Sequence, residues 1–470
     1  MRDDLLNQRR FCLTALLFLF VVPLAGAQTA PTFTIGEPVV LFPDLMTREA
    51  NLAVNTSEPE ILAITIDTAP FDVVDPINGE LPWFALYGAF YNPITLEQIG
   101  DPFIILGGTV DAEIETNGVK YNPVTNQYVV VTKANDFGNN GMDVPLIALV
   151  NPASVAAGGN PVAKAFAYDM ETDQNYDDVA VAVNTRNGSF LLVAERNFVH
   201  EADPPATSEG VCGALFDKDG NLLTPQFGRL DTLEPDRDED DPDVAYLEEN
   251  DVFIFITNID PSYSKNRITA TIIQSAPDAN GNLQAGTQQI VSELRKDFSA
   301  GHAAAIENPF TREFIGVLDY DNGAEGGDIF YFQIGPPPDY AFTEARPQIP
   351  YLEAAASSPY SQRHPQLAVD PNSGVIAIAH NATGEFQGMM FTLLGPDGAI
   401  LPGRPNDRPY ELVATDQAIS SSANYHNIVY DPDSDSFIVI YATGDGWTEA
   451  VRLTVTSDHR PVGVADWMVY

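Results

Sequence analysis

The chain has 470 residues, 66 of them Asp or Glu and 23 Lys or Arg, for a formal net charge of −43 at pH 7. That charge opposes contact with nucleic acid and with anionic membrane surfaces, whose phosphates repel it. A hydrophobic content of 44%, with 26 Phe and 18 Tyr, excludes an acidic disordered chain.

The first element in chain order is an apolar run from Phe11 to Val22, behind Arg9 and Arg10 and ahead of Ala25-Gly-Ala27. A basic segment, an apolar segment and an A-x-A site in that order read as a secretory signal peptide over residues 1–27. The run is shorter than the roughly 20 residues that span a bilayer, and Cys12 lies inside it, which does not fit lipid attachment. The expectation is a monomer, secreted or periplasmic, without membrane insertion, with residues 28–470 as one domain. Beyond the leader Cys212 is the sole cysteine, so no intramolecular disulfide forms there. A chain of this size buries enough core without one, and Cys212 reads as a small buried apolar residue.

From Leu52 onward the sequence repeats. An apolar strand, a polar turn and a second apolar strand recur as LAVNTSEPEILAITI from Leu52, VKYNPVTNQYVVV from Val119 and VAVNTRNGSFLLVA from Val181. VAYLEENDVFIFIT from Val244, AAIENPFTREFIGVL from Ala304, LAVDPNSGVIAIA from Leu367 and IVYDPDSDSFIVIY from Ile428 complete the set. The residues closing the first strand are Asn55, Asn122, Asn184, Leu247, Glu307, Asp370 and Asp431, at intervals of 67, 62, 63, 60, 63 and 61. Each copy continues into a third strand, such as WFALYGAF or GMMFTLLG, and a weaker fourth such as IGDPFIIL.

The second strands are apolar at nearly every position, so both of their faces are buried. Small residues stand two before the closing position at Ala53, Ala182, Ala245, Ala305 and Ala368, where they allow sheets to approach; Lys120 and Val429 are the exceptions. Sustained 3.6-residue periodicity is absent. Seven units of four antiparallel strands, covered on both faces, give an all-β fold, a seven-bladed β-propeller. Thr34–Leu41 repeats the pattern of Gln98–Ile105, a fourth strand, yet precedes the first unit. It is the favoured segment to close the ring, over the competing C-terminal Pro461–Tyr470.

Pro242-Asp-Val-Ala-Tyr246 and Asp217-Lys-Asp-Gly-Asn221 carry a grammar that resembles repeats of secreted bacterial β-propellers. The resemblance spans nearly all of residues 28–470 and implies architecture, not activity. The sialidase Asp box (S-x-D-x-G-x-T-W) and the WD40 and kelch signatures are absent.

In such a blade the first-to-second and third-to-fourth turns share one end of the ring. The long, dissimilar second-to-third loops lie at the other end, where binding is expected. His302, His364 and His426 fall five or six residues before the closing positions, at that variable-loop end, with His364 one residue out of phase. Arg363 and Tyr425 adjoin two of them, and Asp178 and Asp241 take the same place in earlier copies. These seven are the ligand-binding candidates. A structural reading stands beside them: a His copied by duplication that bonds the backbone of the neighbouring blade. No cofactor is required; calcium is the one the composition admits, with Asp319, Asp321 and Asp328 as its candidate ligands. The functional expectation is an exported protein that binds a glycan or an extracellular protein. The alternative is a polysaccharide lyase or glycosidase using His, Tyr425 and Arg363 at the channel mouth, and a third reading is a His-ligated metal oxidoreductase.

Overall fold

The computed structural model describes residues 33–45, 49–68, 84–107, 114–135, 143–156, 158–168, 176–200, 206–224, 228–229, 239–259, 267–293, 299–321, 327–334, 360–384, 388–396, 398, 401, 410–414 and 426–455. The leader, Tyr425 and the C-terminal segment of the sequence reading lie outside them. After β1 (Phe33–Ile35) and β2 (Val39–Leu41), blade 1 comprises β3 (Ala50–Asn55), β4 (Glu60–Thr68), β5 (Phe84–Tyr91) and β6 (Gln98–Gly107). Blade 2 holds β7 (Ile114–Asn122), β8 (Gln127–Asn135), β9 (Asp143–Val150), the single-turn α1 (Ala153–Ala156) and β10 (Val162–Ala167). Blade 3 holds β11 (Tyr176–Val183), β12 (Phe190–His200), β13 (Ala206–Phe216) and β14 (Gly228–Arg229).

Blade 4 holds β15 (Glu239–Leu247), β16 (Val252–Ile259), β17 (Arg267–Gln274) and β18 (Gln289–Glu293). Blade 5 has three strands among the described residues, β19 (Ser299–Asn308), β20 (Glu313–Asp321) and β21 (Gly327–Ile334), one fewer than the repeat predicts. Blade 6 holds β22 (Tyr360–Val369), β23 (Ile376–Gly384), β24 (Gly388–Leu394) and β25 (Tyr410–Ala414). Blade 7 holds β26 (His426–Asp431), β27 (Ser436–Ala442) and β28 (Thr448–Val455). The first strands touch in circular order, β3 to β7, β11, β15, β19, β22, β26 and back to β3. This is a closed seven-bladed β-propeller.

The ring is closed by the N-terminal segment. β1 and β2 both pair antiparallel with β28, at Phe33↔Val455 and Val39↔Ala450, and supply blade 7 with its outer strand. Gly36-Glu-Pro38 separates the two, as the register shift at Gly100-Asp-Pro102 breaks the pairing of β6 on β5.

Period-two alternation explains the all-apolar second strands. In β4, Leu62 and Ile64 pack toward blade 2 while Ile61 and Ala63 pack toward blade 7. Every one of the seven interblade seams carries its own apolar cluster. Cys212 is fully buried in the seam between blades 2 and 3, its Sγ 3.4 Å from the Ala194 carbonyl.

In every blade but the fourth, which closes with Leu247, the turn after the first strand is built around the side chain of its closing residue. Asn184 Oδ1 accepts the N–H groups of Arg186 and Asn187 at 2.9 and 3.2 Å, and its amide donates to Asp251 Oδ1 of the next blade at 2.8 Å. Asn55, Asn122, Asn308, Asp370 and Asp431 make the same side-chain-to-backbone turn. This end of the ring is therefore short, regular and stitched between blades.

Candidate functional site

In each blade a closing residue stands five positions before its partner on the second strand, as in Asn55↔Glu60, Leu247↔Val252 and Asp431↔Ser436. In blade 5 that residue is Asn308, paired with Glu313, rather than the Glu307 of the sequence pattern. The one-residue correction puts Ile306, not Ala305, at the small-residue position. It also brings His302 and His364 into phase, both six residues before their closing positions. Tyr425 has that place in blade 7, and His426 is the residue out of step.

That sixth position is a β-bulge. Registers shift between Glu115 and Asn117, Asp177 and Val179, Asp240 and Asp243, Ala300 and Ala303, and Arg363 and Gln366. Thr116, Asp178, Asp241, His302 and His364 thus occupy the same irregularity in blades 2 to 6. A bulge leaves a residue out of the ladder and re-aims it. The sequence pattern located the residues; the bulge that gathers them is a property of the pairing.

A second ring accompanies the bulges. The polar residue next to the bulge on the second strand is Lys133, Glu195, Asn258, Asp319 or Asn381, and all five are buried. Their common place at the polar end of an otherwise apolar strand is a signal the sequence contains, although the pattern of histidines alone does not reveal it. In blade 5, Asp319 Oδ2 accepts the backbone N–H of His364 in blade 6 at 2.7 Å. His364 has φ of +54°, the left-handed region that non-glycine residues rarely enter, so the carboxylate holds a strained bulge across the seam.

The imidazoles of this quarter are inside the protein. His364, His380 and His426 are 8%, 0% and 4% exposed. The Asn381 side-chain amide lies 3.1 Å from His364 Nδ1. His426 Nε2 lies 3.4 Å from the Ala379 carbonyl of the adjacent blade, an interblade backbone contact of the kind the structural reading describes. His380 Nδ1 lies 3.3 Å from the Asn381 carbonyl, and its Nε2 is buried without a hydrogen-bond partner among the described residues. Burial drives the His380 pKa down to about 3, and nearby His426 adds to the depression against the raising effect of the Asn381 carbonyl.

The remaining candidates are placed by the backbone. Arg363 pairs with Asn381 beside the bulge, Asp321 pairs with Gly327, and Asp328 pairs with Tyr320, one residue out of step with Asp319. Among the described residues no group of three or more His, Cys, Asp or Glu is arranged to hold a metal ion. The side chains of His302, Arg363, Asp241, Asp321 and Asp328 lie outside the described set.

The first strands also enclose a cavity of about 460 Å³ on the ring axis. Its lining begins four residues before the closing positions, at Asp243, Gln366 and Asn427. It ends one residue after them, at Thr56, Pro123, Thr185, Glu248, Pro309, Pro371 and Pro432. The lining stops short of the His-bearing bulges and runs out at the regular turn end. Sequence reasoning expected binding at the other end of the ring and named none of the residues that line this cavity as binding candidates.

Fold and site define the chain as a seven-bladed β-propeller with a lined axial cavity and, beside the bulges of blades 2 to 6, a set of buried polar residues. Among solved structures it is similar to a Trypanosoma rangeli sialidase in complex with sialic acid, at 10% identity and a TM-score of 0.41, over 91% of this chain and 60% of that one. A Hadza microbial sialidase aligns at 8% identity and a TM-score of 0.44, over 91% and 97% of the two chains. A leech intramolecular trans-sialidase aligns at 10% and 0.44, over 91% and 71%. The chain spans about 60% of the length of the trypanosomal enzyme, and the likeness is one of architecture. No family model matches the sequence, and no curated protein matches it. Among the described residues no helix is long and apolar enough to cross a membrane.

Proposed function

We propose that the protein is an exported, non-catalytic propeller that binds a glycan or an extracellular protein through the variable-loop end. The observation that carries this reading is the contrast between the two ends of a rigid ring. At the turn end every first hairpin closes over the same five-residue step. At the other end β12 and β13 remain paired out to His200↔Ala206, whereas β27 and β28 are joined by the tight turn Thr443–Trp447. Unequal projections on a fixed frame are the arrangement in which binding specificity is usually placed.

The burial of the imidazoles argues against the lyase alternative. A general base must reach the proton it removes, and His364, His380 and His426 are buried. Burial holds the His380 ring neutral near pH 7, and its Nε2 is buried with no hydrogen-bond partner among the described residues. The test is a panel of neutral and uronate-containing polysaccharides, scored for binding by calorimetry and for release of unsaturated or reducing ends. Binding without turnover is expected. Turnover that disappears in a Tyr425→Phe variant would establish the lyase reading instead.

A further inference from the structure

The axial cavity departs from its own repeat at one residue. Two positions before the closing residue, blades 1, 3, 4 and 6 carry Ala53, Ala182, Ala245 and Ala368, blades 5 and 7 carry Ile306 and Val429, and blade 2 carries Lys120. Lys120 is solvent-exposed although it lines the inside of the ring, because the cavity itself is the space it points into. Departures from local consistency are where function concentrates in a folded chain.

Across the lumen from Lys120, two blades away, stands Asp243. Its Oδ2 accepts the Ala305 N–H at 2.9 Å; burial raises its pKa, and the charge of Lys120 and the hydrogen bond from Ala305 oppose that rise. Lys120 makes no ion pair among the described residues, so the two opposite charges face the lumen without cancelling by contact. Gln366 and Asn427 share the Asp243 level, and Asn427 is held by an amide–amide hydrogen bond to Asn51. Toward the turn end Tyr121, Tyr246 and Tyr430 line the wall in blades 2, 4 and 7, with Val54, Val183 and Val369 at the same position in blades 1, 3 and 6 and Glu307 in blade 5. The hydroxyls of Tyr246 and Tyr430 are taken up by Asp251 and Asp435 in their own turns, which holds these two rings in place against the cavity.

We propose that this cavity is a binding site, entered from the regular turn end, for a free amino acid with a large apolar side chain. Lys120 takes the carboxylate, Asp243 takes the ammonium, and the apolar wall takes the side chain. The volume of about 460 Å³ lies within the ~300–1,000 Å³ usual for small-molecule sites. Charge selects the class. Asp243, Glu248 and Glu307 line the cavity beside the single base Lys120, so a simple anion meets an excess of carboxyl groups, while a simple cation leaves the Lys120 ammonium without a counter-charge. A zwitterion satisfies both. The site lies at the end of the ring opposite the proposed glycan or protein surface and does not depend on it.

Calorimetry on the full chain with L-phenylalanine and L-leucine tests the assignment, beside 3-phenylpropionate, which lacks the ammonium, and phenethylamine, which lacks the carboxylate. The expected result is saturable binding of one or both amino acids and at least tenfold weaker binding of each analogue. Lys120→Ala installs the residue that four other blades already hold, so the fold is retained; a thermal melt of the unliganded variant checks this. That variant is expected to bind at least tenfold more weakly, as is Asp243→Asn, with polysaccharide binding at the opposite end unchanged. The proposal is overturned if neither amino acid binds at millimolar concentration, if an analogue binds as tightly as its parent, or if folded Lys120→Ala binds like the original protein.

Discussion

Replacing His380 with Gln removes the most deeply perturbed titrating group of the buried polar quarter while keeping a side-chain donor for the Asn381 carbonyl. In the folded protein the ring is fully enclosed and titrates near pH 3; in the unfolded chain it takes its ordinary value of 6.5. The depressed value means that folding favours the neutral ring. Its contribution to stability is complete above pH 6.5 and is lost as the pH falls from there toward 3. In that window the unfolded state binds about one proton more than the folded state, a slope of ~1.4 kcal/mol per pH unit. Between pH 7 and 4.5 the loss comes to roughly 2–3 kcal/mol. Buried carboxylates such as Glu60 and Glu307 act with the opposite sign. Burial raises their pKa values, so they hold protons more tightly when folded. They are common to both proteins and cancel in the difference. Urea unfolding at half-unit pH steps measures it: the original protein should lose stability faster than His380→Gln as the solution is acidified. A difference that stays flat from pH 7 to 4.5 would refute the reasoning, since it would mean that the ring is solvated or already charged in the fold.

Asn184→Ala removes the one acceptor shared by two turn N–H groups, and the bond to Asp251, from a fully buried site, and is expected to cost about 2–3 kcal/mol in chemical unfolding, since buried donors lose their partners. Gly316→Ala places a methyl carbon 2.1 Å from the Phe332 ring, which is packed in the seam between blades 4 and 5; a loss of about 1–3 kcal/mol by overpacking is expected in the same assay. Phe42→Ala empties a fully buried site at the ring closure, where the ring meets Tyr91 edge-on at 6.0 Å. A cost of about 3–5 kcal/mol is expected, with thermal unfolding reporting whether the closing segment and the ring melt as one transition.

The number of blades, their strand order and the closing segment were legible in the sequence because each rests on a local pattern. A strand buried on both faces must be apolar throughout, and polar turn residues must recur where hairpins close. Even the phase of the repeat was readable to within one residue, the slip from Asn308 to Glu307 arising because two polar residues adjoin and only the pairing with Glu313 separates them. The polar residues were found in the same way, but what they do was decided elsewhere. That His364 sits in a left-handed bulge held by Asp319, 45 positions away, follows from packing between blades, which no spacing encodes. That Lys120 and Asp243 face one lumen follows from bending seven sheets around an axis, which brings residues 123 positions apart into electrostatic range. The sequence by itself determined the blade; the closure of the ring determined which side chains share a space.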